Sequence, residues 1–271
     1  MRVVDSHFHT WDLEKQAMSW LDGESEKLQR SFTYDGLATV YEHLGITLAG
    51  AVHVEADADD PVLEHSLLQS RLPANVGIVA HAHLSADMAI PAGCSGIRDV
   101  LHVPSSPRGR CLDTDFLAGL SKLGEAGLPF DACIRVEELE DLYRACRFVP
   151  HATVVLDHLG NGQQLTPDYQ KVMEKLGSLP NVYCKLSGLP APEGRDVLQF
   201  IASVFPWSRL LYSSNWPVVL TYSGSAKTSR SFVRPSRIPP SCLLKTRSAS
   251  TTLKGPLHAE GNNLPVDYAY D

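Results

Sequence analysis

Eight short apolar or β-branched runs pace this chain from its start to about residue 220: RVVDSH, TLAGAVHVE, VGIVAHAHL, CSGIRDVLH, LPFDACIRV, ATVVLDHLG, NVYCKLSG and RLLYSSNW. Longer stretches of helical character lie between them, namely YDGLATVYEHLG, PVLEHSLLQSRL, DTDFLAGLSKLGEAG, EELEDLYRACRFV, PDYQKVMEKLGSL and GRDVLQFIASVF. Pro61 opens one of these, Asp113 precedes another that Gly127 ends, and Leu139, Leu142, Tyr143 and Cys146 recur at helical spacing. Strands that alternate with helices pair in parallel through right-handed crossovers. Eight of them predict an α/β fold, a (β/α)8 TIM barrel over residues 1–222.

The pattern stops after VVLTY. Residues 223–271 are rich in Ser, Thr, Arg, Lys and Pro and carry no helical periodicity, so they read as an irregular, low-complexity or disordered segment in place of the last helix. Apolar surface on the first and eighth strands would then need an irregular cover.

In such a barrel the active site lies at the C-terminal ends of the strands. The polar residues that end the runs should therefore converge: His7 and His9, His53 and Glu55, His81 and His83, Arg98, Arg135, His158, Lys185 and Asn215. Residues two apart on a strand share a face, so the HxH pair His7 and His9 can aim both imidazoles at one point, as metal ligands or as acid/base groups do. His158 stands between an apolar strand and a glycine, where barrel geometry brings it toward that pair; a hydrogen bond to a loop carbonyl is its structural alternative. Asn215 cannot act as a general base, but its amide can orient a water or a substrate oxygen.

Arg98, Arg135 and Lys185 are candidates to bind substrate carboxylate or hydroxyl groups, with salt bridges at the barrel rim as the alternative. Glu55 reads as a partner of a histidine or of substrate, with a salt bridge at the barrel rim as the equal alternative, and Trp216 as a substrate contact beside Asn215. The second HxH pair, His81 and His83, reads as structural. The acidic stretch ADADDPVLE lacks the glycine and the terminal glutamate of a calcium loop and reads as a cap on the helix that begins near Pro61.

Taken in order, DSHFHTWD, GIRDVLH, VVLDHLG, NVYCKLSGL and SSNWPV resemble the amidohydrolase-related family of the amidohydrolase superfamily, and within it the branch of sugar-lactone and 2-pyrone-4,6-dicarboxylate lactonases. The resemblance spans residue 3 to about 220. It implies a hydrolase that opens a sugar-acid or carboxylated lactone, with His7, His9 and His158 lining the site and holding a divalent metal such as zinc where one is used. Some members of the family work without metal. The family usually carries aspartate where this chain has Asn215. A metal-dependent decarboxylase of the same superfamily and a catalytically impaired variant acting as a binding protein are the alternative readings.

Composition narrows the partners. A net charge of −7 gives no attraction to nucleic acid or to an anionic membrane, and no apolar run approaches the roughly 20 residues of a bilayer span. The six cysteines are scattered singly, without a CxxC pair, and read as reduced core thiols of a cytoplasmic protein. A small lactone is the expected partner, and a homo-oligomer is compatible with the sequence.

Overall fold

The computed structural model describes residues 2–189 and 194–222. Eight parallel strands follow one another in sequence order around a single sheet: β1 (Arg2–Phe8), β2 (Thr47–Val54), β3 (Val76–His81), β4 (Gly96–Arg98), β5 (Phe130–Ala132), β6 (Val154–Leu156), β7 (Val182–Leu186) and β8 (Leu210–Tyr212). The crossovers carry α1 (Tyr34–His43), α2 (Pro61–Arg71), α3 (Thr114–Ala126), α4 (Leu139–Phe148), α5 (Pro167–Ser178) and α6 (Arg195–Val204). β3 passes to β4 through a loop. The expected TIM barrel is therefore present; the expected irregular segment 223–271 lies outside the described residues.

Local chemistry explains the boundaries. Thr33 and Thr166 accept the N–H groups of Gly36 and Tyr169 as N-caps of α1 and α5. Asp60 accepts those of Val62 and Leu63 ahead of Pro61. Asp113 is different: its side chain makes no capping bond and lies 3.6 Å from Arg110 instead. Gly127 ends α3 in the left-handed conformation that glycine adopts without cost. The anticipated stripe on α4 is real, with Leu139, Leu142 and Cys146 buried and Tyr143 packed at their edge.

Two apolar clusters hold the barrel. The larger joins the later strands to α3, α4, α5 and α6. The smaller gathers Trp11, Met18, Leu21, Leu28 and Phe32, from the long segment between β1 and α1, around Tyr41, Tyr212 and Trp216 where the first and last strands meet.

That meeting is made by polar groups. Ser6 Oγ donates to the Tyr212 carbonyl at 2.8 Å, the Asn215 amide donates to the His7 carbonyl at 2.9 Å, and the His9 amide to that of Trp216 at 2.7 Å. Beneath them the Asp5 carboxylate, fully buried, accepts from the Ser214 amide (2.9 Å), the Ser214 hydroxyl (2.6 Å), the Tyr41 hydroxyl (2.9 Å) and the His7 amide (3.2 Å). Burial raises the Asp5 pKa, and these donors oppose that rise. Asp5→Ala is expected to cost about 3 kcal/mol or more, because several buried donors lose their acceptor together; urea unfolding measures the loss.

A second buried carboxyl has fewer donors around it. Glu64 on α2 accepts the Ala56 amide through Oε1 at 2.7 Å, while Oε2 is buried without a partner. Burial, aided by the nearby Glu55 carboxylate, pushes its pKa up to about 8 from 4.5. The folded state therefore retains a proton that the unfolded chain releases. The resulting stability is full below the unfolded value and is lost as pH rises through the folded one. Relative to Glu64→Gln, the natural chain should lose stability between about pH 5 and about pH 8.5, read from urea unfolding at both ends.

Candidate functional site

The strand ends form the walls of a cavity of about 330 Å³ whose lining includes His9, Trp20, Asp57, Arg98, His102, His158, Asn161, Asn215 and Tyr222. His7 and His9 project from the end of β1 with their Nε2 atoms 3.0 Å apart. His9 Nδ1 lies 2.8 Å from the Val54 carbonyl, which can only accept, so Nδ1 carries the proton and Nε2 offers a lone pair.

His158 arrives by an unusual backbone. After β6 the chain turns through four successive left-handed residues, His158, Leu159, Gly160 and Asn161. This turn sets the imidazole against His7, ring centroids 4.6 Å apart, with Nδ1 2.8 Å from Ser187 Oγ. Gly188 at the end of β7 makes room for it: a Cβ there would lie 2.6 Å from that of His158. Burial keeps all three imidazoles neutral, lowering His7 and His9 well below the usual range and His158 to about 4.

Under the histidines lies a buried ionic cluster. Lys185 pairs with Asp131 and lies 2.9 Å from Asp157 Oδ1 and 3.1 Å from His7 Nδ1. Arg98 pairs through Nε with Glu55, donates to the Glu55 carbonyl at 2.5 Å, and has Nη1 3.6 Å from Asp157 Oδ2. Burial alone would raise the Asp157 pKa, but the Lys185 ammonium and the adjacent His7 pull it well down. Burial raises Asp131 to about 6 against the opposing pull of Lys185. Three carboxylates thus face two cations.

These residues fit a cation. His7, Asp157 and His158 each present a ligand atom within 4.8 Å of the others', and both Asp157 oxygens are buried without a hydrogen-bond partner of good geometry. Two imidazoles and a carboxylate suit zinc and similar divalent ions. The donor set differs from the expected His7, His9 and His158, since Asp157 stands in it and His9 lies beside it. Lys185 competes for the same atoms: when its ammonium donates to His7 Nδ1, His7 Nε2 carries the proton and donates to His9 rather than to a metal.

Of the other expected site residues, Asn215 and Arg98 reach the cavity. Asn215, at φ 54°, donates to Tyr222 Oη at 3.1 Å and leaves Oδ1 buried without a partner. Glu55 is consumed by Arg98 and by the Asp57 amide at 2.7 Å. Lys185 sits beneath the cavity wall because two carboxylates hold it there. Arg135, expected to bind substrate, turns away to Glu138 (2.7 Å) and the carbonyls of Val103 and Ser106. Trp216, expected to touch substrate, packs instead on Phe32 with centroids 5.2 Å apart, in the cluster that closes the barrel. His83 is tied to Asp99 at 3.0 Å.

Asp57, Asp157, His102 and Tyr222 were not singled out from the sequence. The Asp-His pair at the end of β6 was a usable signal for Asp157. The others sit on loops whose course no periodicity reports.

An L-fucono-1,5-lactonase from Burkholderia multivorans is 26% identical over 244 residues, spanning 80% of this chain and 82% of the relative. The solved structure of Amidohydrolase 2 from Bifidobacterium longum subsp. infantis superposes with a TM-score of 0.78 at 39% identity, covering 84% of this chain and 89% of that one. A Burkholderia multivorans amidohydrolase solved with bound zinc gives 0.72 at 22% identity, over 90% and 96%. The Amidohydrolase family model matches residues 4–228, and the chain accordingly belongs to the amidohydrolase family.

Proposed function

We propose that this protein hydrolyses the ester of a small, uncharged, hydroxylated lactone, the class to which a sugar 1,5-lactone belongs. The observation that carries the reading is the convergence of His9, His158 and the unpartnered Asn215 Oδ1 on one cavity in a chain of a hydrolase family. The likeness to an L-fucono-1,5-lactonase supports it. A volume of about 330 Å³ suits a single small ring.

Charge decides between lactone types. A lactone bearing carboxylates needs unpaired cations around it. Among the described residues Arg98 is the one Lys or Arg side chain on the lining, and Glu55 already engages it. Arg135 and Lys185 are likewise occupied. Acceptors, by contrast, are in supply at Asn215 and Asp57.

Asn215 Oδ1 accepts a hydrogen bond from the attacking water and so fixes its direction. His158, neutral at physiological pH, takes the water's proton, and Ser187 holds its ring in place. Arg98 faces the oxyanion that forms as the water attacks, and when that intermediate collapses His158 returns its proton to the departing ring oxygen. A divalent ion held by His7, Asp157 and His158 would take up the His158 lone pair and supply, in place of that base, Lewis-acid polarisation of the carbonyl.

A hydroxylated 1,5-lactone should be opened at a rate that falls at least about a hundredfold in His158→Ala, the scale of a lost general base, and is untouched in Phe148→Ser on the outer surface. Unchanged turnover in His158→Ala overturns the assignment. For the metal, chelator-treated protein given zinc should unfold at a higher temperature, since a ligand that binds only the native state stabilises it. An unmoved midpoint would assign the histidines to metal-free proton transfer and hydrogen bonding.

A further inference from the structure

The acidic stretch ADADDPVLE holds three aspartates, and the structure gives two of them internal tasks. Asp60 caps α2. Asp59 accepts from the amide and the hydroxyl of Ser19 at 2.9 Å and 2.5 Å. The third, Asp57, accepts no side-chain hydrogen bond from any described residue, and it lines the same cavity as His9, His158 and Asn215.

Its placement is specified. Asp57 has φ 53°, a left-handed conformation uncommon outside glycine, and its amide is secured at 2.7 Å by Glu55 Oε2, whose other oxygen grips Arg98. Beside it the Trp20 indole also lines the cavity, anchored by Nε1 to the Ala56 carbonyl at 2.7 Å. A carboxylate next to an aromatic face suits a polyol ring: hydroxyls donate to the oxygens while the C–H face lies on the indole.

We propose that Asp57 is the hydroxyl acceptor of this cavity and sets its preference for polyhydroxylated ring substrates. The proposal rests on the lactonase reading for its reaction but not for its binding chemistry. Asp57 is exposed on the cavity lining and its carboxylate oxygens accept from no described side chain or amide, so both are available to a ligand's hydroxyls.

The test pairs two ring systems with two variants. Asp57→Gly removes the carboxylate and keeps the backbone free to take positive φ, and Asp57→Asn keeps one acceptor oxygen without the charge. With a hydroxylated 1,5-lactone, Asp57→Gly should raise KM about tenfold or more, with kcat within about threefold and Asp57→Asn intermediate. With δ-valerolactone, which lacks the hydroxyls, KM should not move.

Equal effects on both lactones, or none on either, overturn the proposal while leaving the lactonase reading intact. Loss of kcat on both would assign Asp57 to the chemical step and overturn it as well. Calorimetry with a polyhydroxylated six-membered lactam separates the two ideas. Binding that weakens about tenfold in Asp57→Gly, in a protein that opens no lactone, supports Asp57 and overturns the lactonase reading. No lactam binding and no lactone turnover in the natural chain overturns both.

Discussion

The closure of the barrel between its first and last strands is the constraint on which the rest of the structure depends. β1 carries His7 and His9, and the segment after β8 carries Asn215. The same hydrogen bonds that join the two segments therefore set the distance between the groups that must act together. Asp5 is the hub of this seam: one carboxylate ties Ser214, Tyr41 and the His7 backbone at once. Burying a carboxylate is costly, and the cost is recovered only when its lone pairs are filled. Stability and active-site geometry are thus the same set of bonds at this point.

The second organising element is the ionic cluster under the histidines. Lys185, Asp131, Asp157, Arg98 and Glu55 come from β7, β5, the β6 end, β4 and the β2 end, so the charges brace the barrel from inside. Removing one partner would leave another buried charge uncompensated, a loss of about 3–5 kcal/mol in comparable cases. The cluster also governs the imidazoles. Asp157 and Lys185 meet at His7 Nδ1 with opposite demands on its proton, so the ring's tautomer depends on which of them prevails.

Much of this was legible in the residues. Eight apolar runs and six helical stretches appear in the expected order, because β-branched runs and 3.6-residue stripes are local signals of burial. HxH and the histidine of VVLDHLG also came together as topology required, since strand ends in a barrel have one place to go. What escaped was the direction of long side chains. Arg135 and Lys185 stand at the ends of their runs like Arg98, yet Arg135 folds back on Glu138 three residues on, and Lys185 takes carboxylate partners from other strands that spacing along the chain does not relate. Trp216 went to the seam because a large apolar surface there outweighs a place at the cavity. Asp57 escaped because it shares its stretch with two aspartates that do cap and staple.

The left-handed turn after β6 bears on how this site can change over time. At φ 50° position 158 disfavours β-branched and bulky apolar side chains and suits histidine, asparagine, aspartate or glycine. Two of those four, histidine and aspartate, can bind zinc or move a proton, and asparagine can still hydrogen-bond. The backbone thus narrows the residues that position 158 accepts to a short polar set, in which aspartate is the replacement that keeps a zinc-binding, proton-moving side chain at this point. Gly188 is tied to the same position, because a side chain in its place would collide with the Cβ of His158.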